Sequence, residues 1–412
     1  MSNHDSNPKP GVTRREMIAR VGGTAAVIAG SAWAAKHLYD PVGDAGLPVY
    51  PPRTLKNYFA PIFDGYGAST PRISVAHGGA DGAGEIPRET IQKMIQAALG
   101  PMGGIEKFIS KGDTVLIKPN VAFDRGPRMG ATTNPDVLAE MIRLCRSAGA
   151  KRIIVADNPI EKPEPCFAKS RIKHATESEG AELILPSNSM FAPVAIRDRD
   201  PRPADFEALG TWEVFYRPLD LADKVIGLPP IKDHNLCFAS MSMKNWYGLL
   251  CGRRNQFHQA IHNIVSDLGM MMSPTLIIVD ATRVLMKNGP TGGKLEDVAI
   301  GGVTGRPAII ASVDQLASDA WCCRHLLGRD PAAGVRYLDL AETKIQGRIA
   351  AGRDESALRS RLTAEMSGNK APGGRERVDA KVEQALHESK RFGIRDWQVY
   401  QREGLIKETS VV

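Results

Sequence analysis

Between Asp113 and Asp157 the chain spells out one β-α-β unit, and nothing else in the sequence constrains the fold as strongly. Asp113-Thr114-Val115-Leu116-Ile117-Lys118 is a short apolar run rich in β-branched residues, as a buried strand requires. Asn134, Pro135 and Asp136 then supply an N-cap, a proline at the first helical position and an acid in the first turn. Val137, Leu138, Met141, Ile142, Cys145 and Ala148 recur at helical spacing, and Gly149 stops the helix. Arg152-Ile153-Ile154-Val155-Ala156-Asp157 is the second strand. Strands joined by a helical crossover pair in parallel by default.

Further apolar runs at 181–185, 224–228, 275–280 and 308–313 extend the sheet, and helices are predicted over 88–99, 255–271 and 314–327. The expected fold class is α/β: an open, mostly parallel sheet with helices on both faces, plus an N-terminal arm and a helical C-terminal extension. The expected divisions are a signal segment over 1–34, an arm and helix over 35–110, the α/β core over 111–330 and the helical extension over 331–412. The arm is rich in Pro, Gly and Tyr from Leu47 to Gly84 and carries one short strand at 72–76. A Gly/Pro break at 367–374 interrupts the extension.

The first residues read as an address rather than as fold. A polar lead ends in Thr13-Arg14-Arg15-Glu16-Met17-Ile18; an apolar stretch rich in Gly and Ala runs from Val21 to Ala35, and Ala32-Trp33-Ala34 supplies a small-x-small cleavage pattern. These parts in this order resemble a twin-arginine signal, with Met17 where Phe is commoner. The expectation is an exported, periplasmic or extracytoplasmic protein that meets the twin-arginine export machinery already folded, so that a cofactor can be inserted before export. No stretch approaches the roughly 20 consecutive apolar residues of a membrane-spanning helix, which leaves an uncleaved signal as the one expected anchor.

The formal net charge is +7. The first 34 residues hold four basic side chains against two acidic ones, so the rest of the chain carries +5, without a run of five like charges. Nucleic acid is not an expected partner. Of the six cysteines, at 145, 166, 237, 251, 322 and 323, no pair has C-x-x-C spacing, and a built-in iron-sulfur cluster is not expected. The adjacent Cys322 and Cys323 would close a strained ring if oxidised.

In open α/β sheets ligands bind beyond the carboxyl ends of the strands, so polar residues that terminate apolar runs are the ones to collect. Lys118 and Asn120, Asp157, Asp280 and Asp314 stand at such ends, and Lys232 and His234 follow the run 224–228. Asp314 directly before a helix also fits an N-cap. A second cluster runs from Ser240 through Met243-Lys244-Asn245-Trp246-Tyr247-Gly248 to Arg253, Arg254, His258 and His262. His258 and His262, four apart on a predicted helix, share a face and are the metal candidates, although Gln259 stands where a zinc protease needs its glutamate base. The bases Lys118, Lys232, Lys244, Arg253 and Arg254 make any shared cleft electropositive, suited to a carboxylate or phosphate. Gly289-Pro290-Thr291-Gly292-Gly293-Lys294 lacks phosphate-loop spacing, and 301–305 lacks the dinucleotide fingerprint; both read as turns.

These segments resemble the domain-of-unknown-function 362 family over residues 113–328. The marks are Leu116-Ile117-Lys118-Pro119-Asn120, Thr132-Thr133-Asn134-Pro135, Leu228-Pro229-Pro230-Ile231-Lys232-Asp233-His234, Met243-Lys244-Asn245-Trp246-Tyr247-Gly248, His258, Ile278-Val279-Asp280, Gly289-Pro290 and Asp314 with Asp319. Some members resemble fusions to ferredoxin-like cysteine modules, which this chain lacks. The resemblance supports the candidate sites and supplies no reaction.

The combined expectation is a polar cleft at the strand ends that binds an anionic small molecule or a metal-containing cofactor. Lys118, Asn120, Asn245, Asp157, Asp280, Asp314, Arg253 and Arg254 are its ligand-binding candidates. If the cleft is catalytic, His234 acts as general acid or base, because imidazole titrates nearest neutrality, and Lys232 and Lys244 act on developing negative charge. The rival expectation is a non-catalytic carrier or accessory protein for an extracytoplasmic redox or iron-sulfur partner.

Overall fold

The computed structural model describes residues 53–59, 66–67, 69–82, 84–195, 210–351 and 396–411. The signal segment, parts of the arm and the Gly/Pro break at 367–374 lie outside the described residues. The described residues belong to the unit that begins at Pro52.

The predicted β-α-β unit is present as β2 (Thr114–Pro119), helix Pro135–Ser147 and β3 (Arg152–Ala156), with β2 and β3 parallel. The Asn134 side chain caps the helix by accepting from the Asp136 amide. The other strands are β1 (Ile73–His77), β4 (Glu182–Ile184), β5 (Phe191–Ala195), β6 (Thr211–Phe215), β7 (Lys224–Leu228), β8 (Pro230–His234), β9 (Phe238–Ser240), β10 (Leu276–Leu285), β11 (Val298–Ile300), β12 (Ala308–Ser312) and β13 (Ile406–Ser410). The main sheet runs β13-β1-β12-β10-β7-β2-β3-β4, with β8, β9 and β11 attached along the extended β10; β5 and β6 form a separate hairpin. It is mixed and mostly parallel: β12 is antiparallel to both β1 and β10.

Period-two alternation along each strand distributes the core over both faces. Val115, Ile117, Ile153, Val155, Ile226 and Leu228 face one side, where they pack with α1 (Arg88–Leu99) and α2 (Pro135–Ser147). Leu116, Ile154, Val225, Ile277 and Val279 face the other, with α3 (Ser242–Asn245), α4 (Ile261–Met271), α5 (Gln315–His325) and α6 (Arg336–Ala351). The expected α/β architecture with helices on both faces is what the chain adopts.

Three elements go beyond the sequence reading. The run 224–228 continues after Pro229 as β8, which pairs with β10 through Asp280 and Leu285. Pro230 is its first residue, where the missing N–H is tolerated. The predicted helix 255–271 is a 3-10 helix over Arg254–Ala260, and α4 begins only at Ile261. The C-terminal extension includes α6 and α7 (Trp397–Arg402), but the chain then returns to the sheet as edge strand β13, parallel to β1. Tyr400 anchors this return by donating to Asp314 Oδ2 at 2.7 Å.

Candidate functional site

β2, β3 and the β7–β8 run deliver Asn120, Asp157, Lys232 and His234 beyond the sheet's carboxyl edge, and α3 with the turn after it supplies Lys244, Asn245 and Gly248. A hydrogen-bond chain ties them together. Lys118 Nζ lies 2.6 Å from Asp157 Oδ1 and donates to Asn245 Oδ1 at 3.2 Å. Asn245 Oδ1 also accepts from Asn120 Nδ2 at 3.2 Å, and Asn120 Oδ1 in turn accepts from Lys232 Nζ at 3.0 Å. Lys232 donates a second bond to the Ala131 carbonyl at 2.7 Å. Residues from four separate segments thus hold one another in a fixed order.

Above the chain lies a cavity of about 50 Å3, lined by Asn120, Phe123, Lys232, His234, Lys244 and Tyr247 among others. That is room for a few water-sized groups. A larger cavity of about 490 Å3 lies elsewhere, around Arg88, Arg128, Arg171 and Arg283. Its arginines are largely neutralised within the protein, because Arg128 and Arg283 both pair with Glu85 and Arg88 pairs with Glu179. The small cavity is the chemically unbalanced one.

The imbalance follows from where the charges go. Asp157 is committed: besides Lys118, its Oδ2 accepts from the Val121 amide at 2.7 Å. Lys244 is only 9% exposed, and among the described residues its ammonium has no hydrogen-bond acceptor; it rests on the face of the Tyr247 ring, 3.9 Å from the centroid. Burial, with the neighbouring charges of Arg254 and Lys118, pushes the Lys244 amine down to about 8. Burial, with the charge of Lys244, pushes Lys232 down to about 7. Lys118 is lowered by burial and held protonated by Asp157.

His234 differs from expectation. Its Nδ1 accepts from the amides of Leu236 (3.2 Å) and Cys237 (3.4 Å), so the neutral ring carries its proton on Nε2. Burial, with the charges of Lys244 and Lys232, drives its pKa down to about 2. The residue that sequence reasoning selects for a pKa near neutrality is a fixed hydrogen-bond donor, and the groups poised near neutrality are the two lysines.

The other sequence candidates divide. His258 lines the cavity, with Nδ1 2.8 Å from the Asn255 carbonyl, whereas His262 does not line it and stacks near Tyr337 at 6.3 Å. The 3-10 winding of 254–260 removes the shared face that four-residue spacing gives on an α-helix. Among the described residues no group of three or more His, Cys, Asp or Glu side chains is placed to hold a metal. Arg254 is a strut: its guanidinium donates to the carbonyls of Asn158, Tyr247, Leu250 and Pro159, tying the loop after β3 to the turn after α3. Arg253 is exposed and outside the cavity lining.

Asp280 and Asp314 are also outside the lining. Asp280 accepts from the Asn134 amide and from Thr282, and so fixes the start of α2. Asp314 caps α5 and receives Tyr400. Both serve the helix starts that their positions before or beside a helix also fit.

Several residues that build the site carry no role in the sequence reading. Asp319 accepts from the amides of Ser242 and Met243, fixing the start of α3 and with it Lys244 and Asn245. Gly248 leaves no space for a side chain, because a Cβ there would overlap the Asp157 carboxylate and stand 2.9 Å from Lys118 Nζ. Phe123 and Tyr247 supply ring faces to Lys232 and Lys244. The signal for Asp319 is its place in α5 as a buried acid among apolar neighbours.

The sequence profile of the family described as a domain of unknown function, DUF362, matches residues 115–324, just over half of the chain. A thylakoid-associated protein of Synechocystis sp. is 28% identical over 247 residues, which is 58% of this chain and 70% of its own. A crystal structure of a Thermotoga maritima protein aligns at 11% identity and a TM-score of 0.28, over 48% of this chain and 51% of its own, which is a slight likeness.

Proposed function

The chain belongs to the DUF362 family, and from that premise and the cavity's geometry we propose that it binds a small oxyanion, a carboxylate or phosphate group, between Lys244 and Lys232. The observation that carries the proposal is Lys244: a nearly buried ammonium with no acceptor of its own among the described residues, beside a second lysine, in a cavity whose one lining carboxylate is already paired with Lys118. A buried charge without a partner is costly, and an anionic ligand offsets that cost. The Nε2–H of His234 adds a neutral donor from the same wall.

In this reading Lys244 neutralises the bound anion, Lys232 is the group able to exchange a proton near neutrality, and Asn120 and Asn245 hold the lysines in place. A non-catalytic carrier would use the same contacts without changing the ligand. The test is isothermal titration of the full chain with phosphate, acetate and pyruvate against uncharged acetamide. Saturable binding of an oxyanion at one site, weakened at least tenfold in Lys244→Met and unchanged in Arg253→Ala, supports the proposal. Equal affinity in wild type and Lys244→Met overturns it.

We also infer export, from the paired Arg14 and Arg15, the Gly/Ala-rich stretch and the small-residue pattern behind them. The thylakoid association in the relative's name is compatible with a place at or across a membrane, and no described helix is long and apolar enough to cross one. A reporter fused behind residues 1–40 should leave the cytoplasm, and Arg14→Lys with Arg15→Lys should retain it there; indifference to the double substitution would refute the twin-arginine route.

A further inference from the structure

The same cavity presents an amine arranged for covalent work. Lys232 Nζ donates to two groups that only accept, Asn120 Oδ1 at 3.0 Å and the Ala131 carbonyl at 2.7 Å. A tetrahedral nitrogen held by two such bonds has its remaining positions defined: the side chain takes one, and the other holds either the third proton or a lone pair. Lys232 lines the cavity and is 2% exposed, so water reaches it only from there. The loss of water and the like charge of Lys244 both favour the neutral amine, which is how a lysine becomes a nucleophile at ordinary pH.

We propose that Lys232 forms an imine with a small 2-oxo carboxylate whose carboxylate is held by Lys244 and whose carbonyl oxygen is met by His234. The inference rests on the anion-binding reading and deepens it by naming the substrate class and the reacting atom. The Lys232 lone pair attacks the carbonyl carbon, a C–N bond forms, and the C=O π pair moves to oxygen, where the Nε2–H of His234 stabilises the charge. A proton passes from nitrogen to that oxygen; water then leaves from the protonated carbinolamine as the nitrogen pair closes the C=N bond and nitrogen loses its second proton. One carbonyl and one primary amine yield one imine and one water, and no oxidant, reductant or metal is needed. The ligand class follows from the walls: a cation for the carboxylate, a neutral donor for the carbonyl oxygen, and about 50 Å3 of space, which suits a skeleton of three or four carbons.

His234 is suited to the donor role and unsuited to the base role, because its only unprotonated nitrogen is occupied by the Leu236 and Cys237 amides. Any proton removed from the imine's neighbouring carbon must go elsewhere, and His258, whose Nε2 is left available by the Nδ1 contact to the Asn255 carbonyl, lines the same cavity.

The test is reductive trapping. The full chain is incubated with pyruvate and sodium borohydride at pH 7.5, digested, and mapped by mass spectrometry; pyruvate binding is measured separately by titration. The expected result is a reduced adduct on the peptide bearing Lys232, at least tenfold above any exposed lysine, absent in Lys232→Arg and strongly reduced in Lys244→Met. Pyruvate binding with no adduct on Lys232 overturns the imine and leaves anion binding standing. Absence of pyruvate binding and of any adduct overturns the imine, while phosphate or acetate binding decides the anion reading independently. Labelling spread evenly over exposed lysines also overturns it. Lys232→Arg keeps a cation in the same place, and its circular dichroism and phosphate titration show whether lost trapping reflects lost folding.

Discussion

Lys118 Nζ and Asp157 Oδ1 stand 2.6 Å apart with both side chains about 1% exposed, so the one carboxylate at the site's floor is spent inside the protein and cannot neutralise the lysines above it. The pair also fixes the ends of β2 and β3 against each other through the Val121 amide. Removing one partner leaves a buried charge uncompensated. Asp157→Asn should therefore lower unfolding free energy by about 3–5 kcal/mol in urea titration. The double variant Lys118→Met/Asp157→Leu should regain most of that loss, and additive losses would contradict the pairing.

Gly248 is required by this pair rather than by backbone freedom. Its missing Cβ is the space that Asp157 Oδ1 and Lys118 Nζ occupy. Gly248→Ala should cost about 3 kcal/mol or more, since overpacking of this kind costs about 1–3 kcal/mol and here also displaces a buried ion pair. Thermal melting checks it, and a melting temperature indistinguishable from wild type would count against the described packing.

The adjacent arginines should separate cleanly. Arg254 serves four backbone carbonyls; Arg254→Lys, which keeps the charge but cannot span them, should destabilise by about 2–4 kcal/mol, as broken networks of charged hydrogen bonds do. Arg253→Ala, at an exposed position, should stay within about 0.5 kcal/mol of wild type. Chemical denaturation of the two variants side by side reads the difference.

The lysines make stability depend on pH with a definite sign. Lys232 and Lys244 titrate at about 7 and about 8 in the folded chain against 10.5 for the free side chain, so between those values the unfolded chain binds more protons. Stability should then rise with pH from about 7 toward 10.5 and reach its low plateau for these groups below 7, and every tenfold difference in proton affinity between the folded and unfolded chain corresponds to about 1.4 kcal/mol. Lys232→Met should flatten the slope between about pH 7 and 9. Bound oxyanion should oppose the effect by favouring both ammonium forms, so affinity should fall as the pH rises through that same window. The charged and titratable groups around these amines are Lys118 and Asp157 on the strand ends, Arg254 and His258 on the wall, and neutral His234. Stability of wild type and Lys232→Met that tracks identically with pH would refute the low pKa of Lys232.

How much of this is legible in the sequence follows from what each signal measures. The β-α-β unit can be read because period and caps are local: Val115 and Ile117 alternate with Leu116 onto opposite faces, and Asn134 caps the next helix. The rim of strand-end residues can be read because topology places such ends together, and Lys118, Asn120, Asp157, Lys232, His234, Lys244 and Asn245 do converge. β8 is hidden by Pro229 and Pro230, and β13 by its polar edge sequence Ile406-Lys407-Glu408-Thr409-Ser410. The role of His234 is unreadable because its pKa is set by burial and by two lysines that only the fold brings against its ring. The pairing of His258 with His262 rests on α-helical spacing, and the 3-10 winding through His258 removes it.

Whether an oxyanion sits between the two lysines is decided by a crystal of the full chain soaked in selenate, with the ion located from selenium's anomalous scattering. The strongest site is expected within about 3.2 Å of Lys244 Nζ, in the cavity shared with Lys232. Selenate found only among exposed side chains or at the arginines around Arg88 and Arg283, with the lysine cavity holding none, would contradict the anion-binding reading.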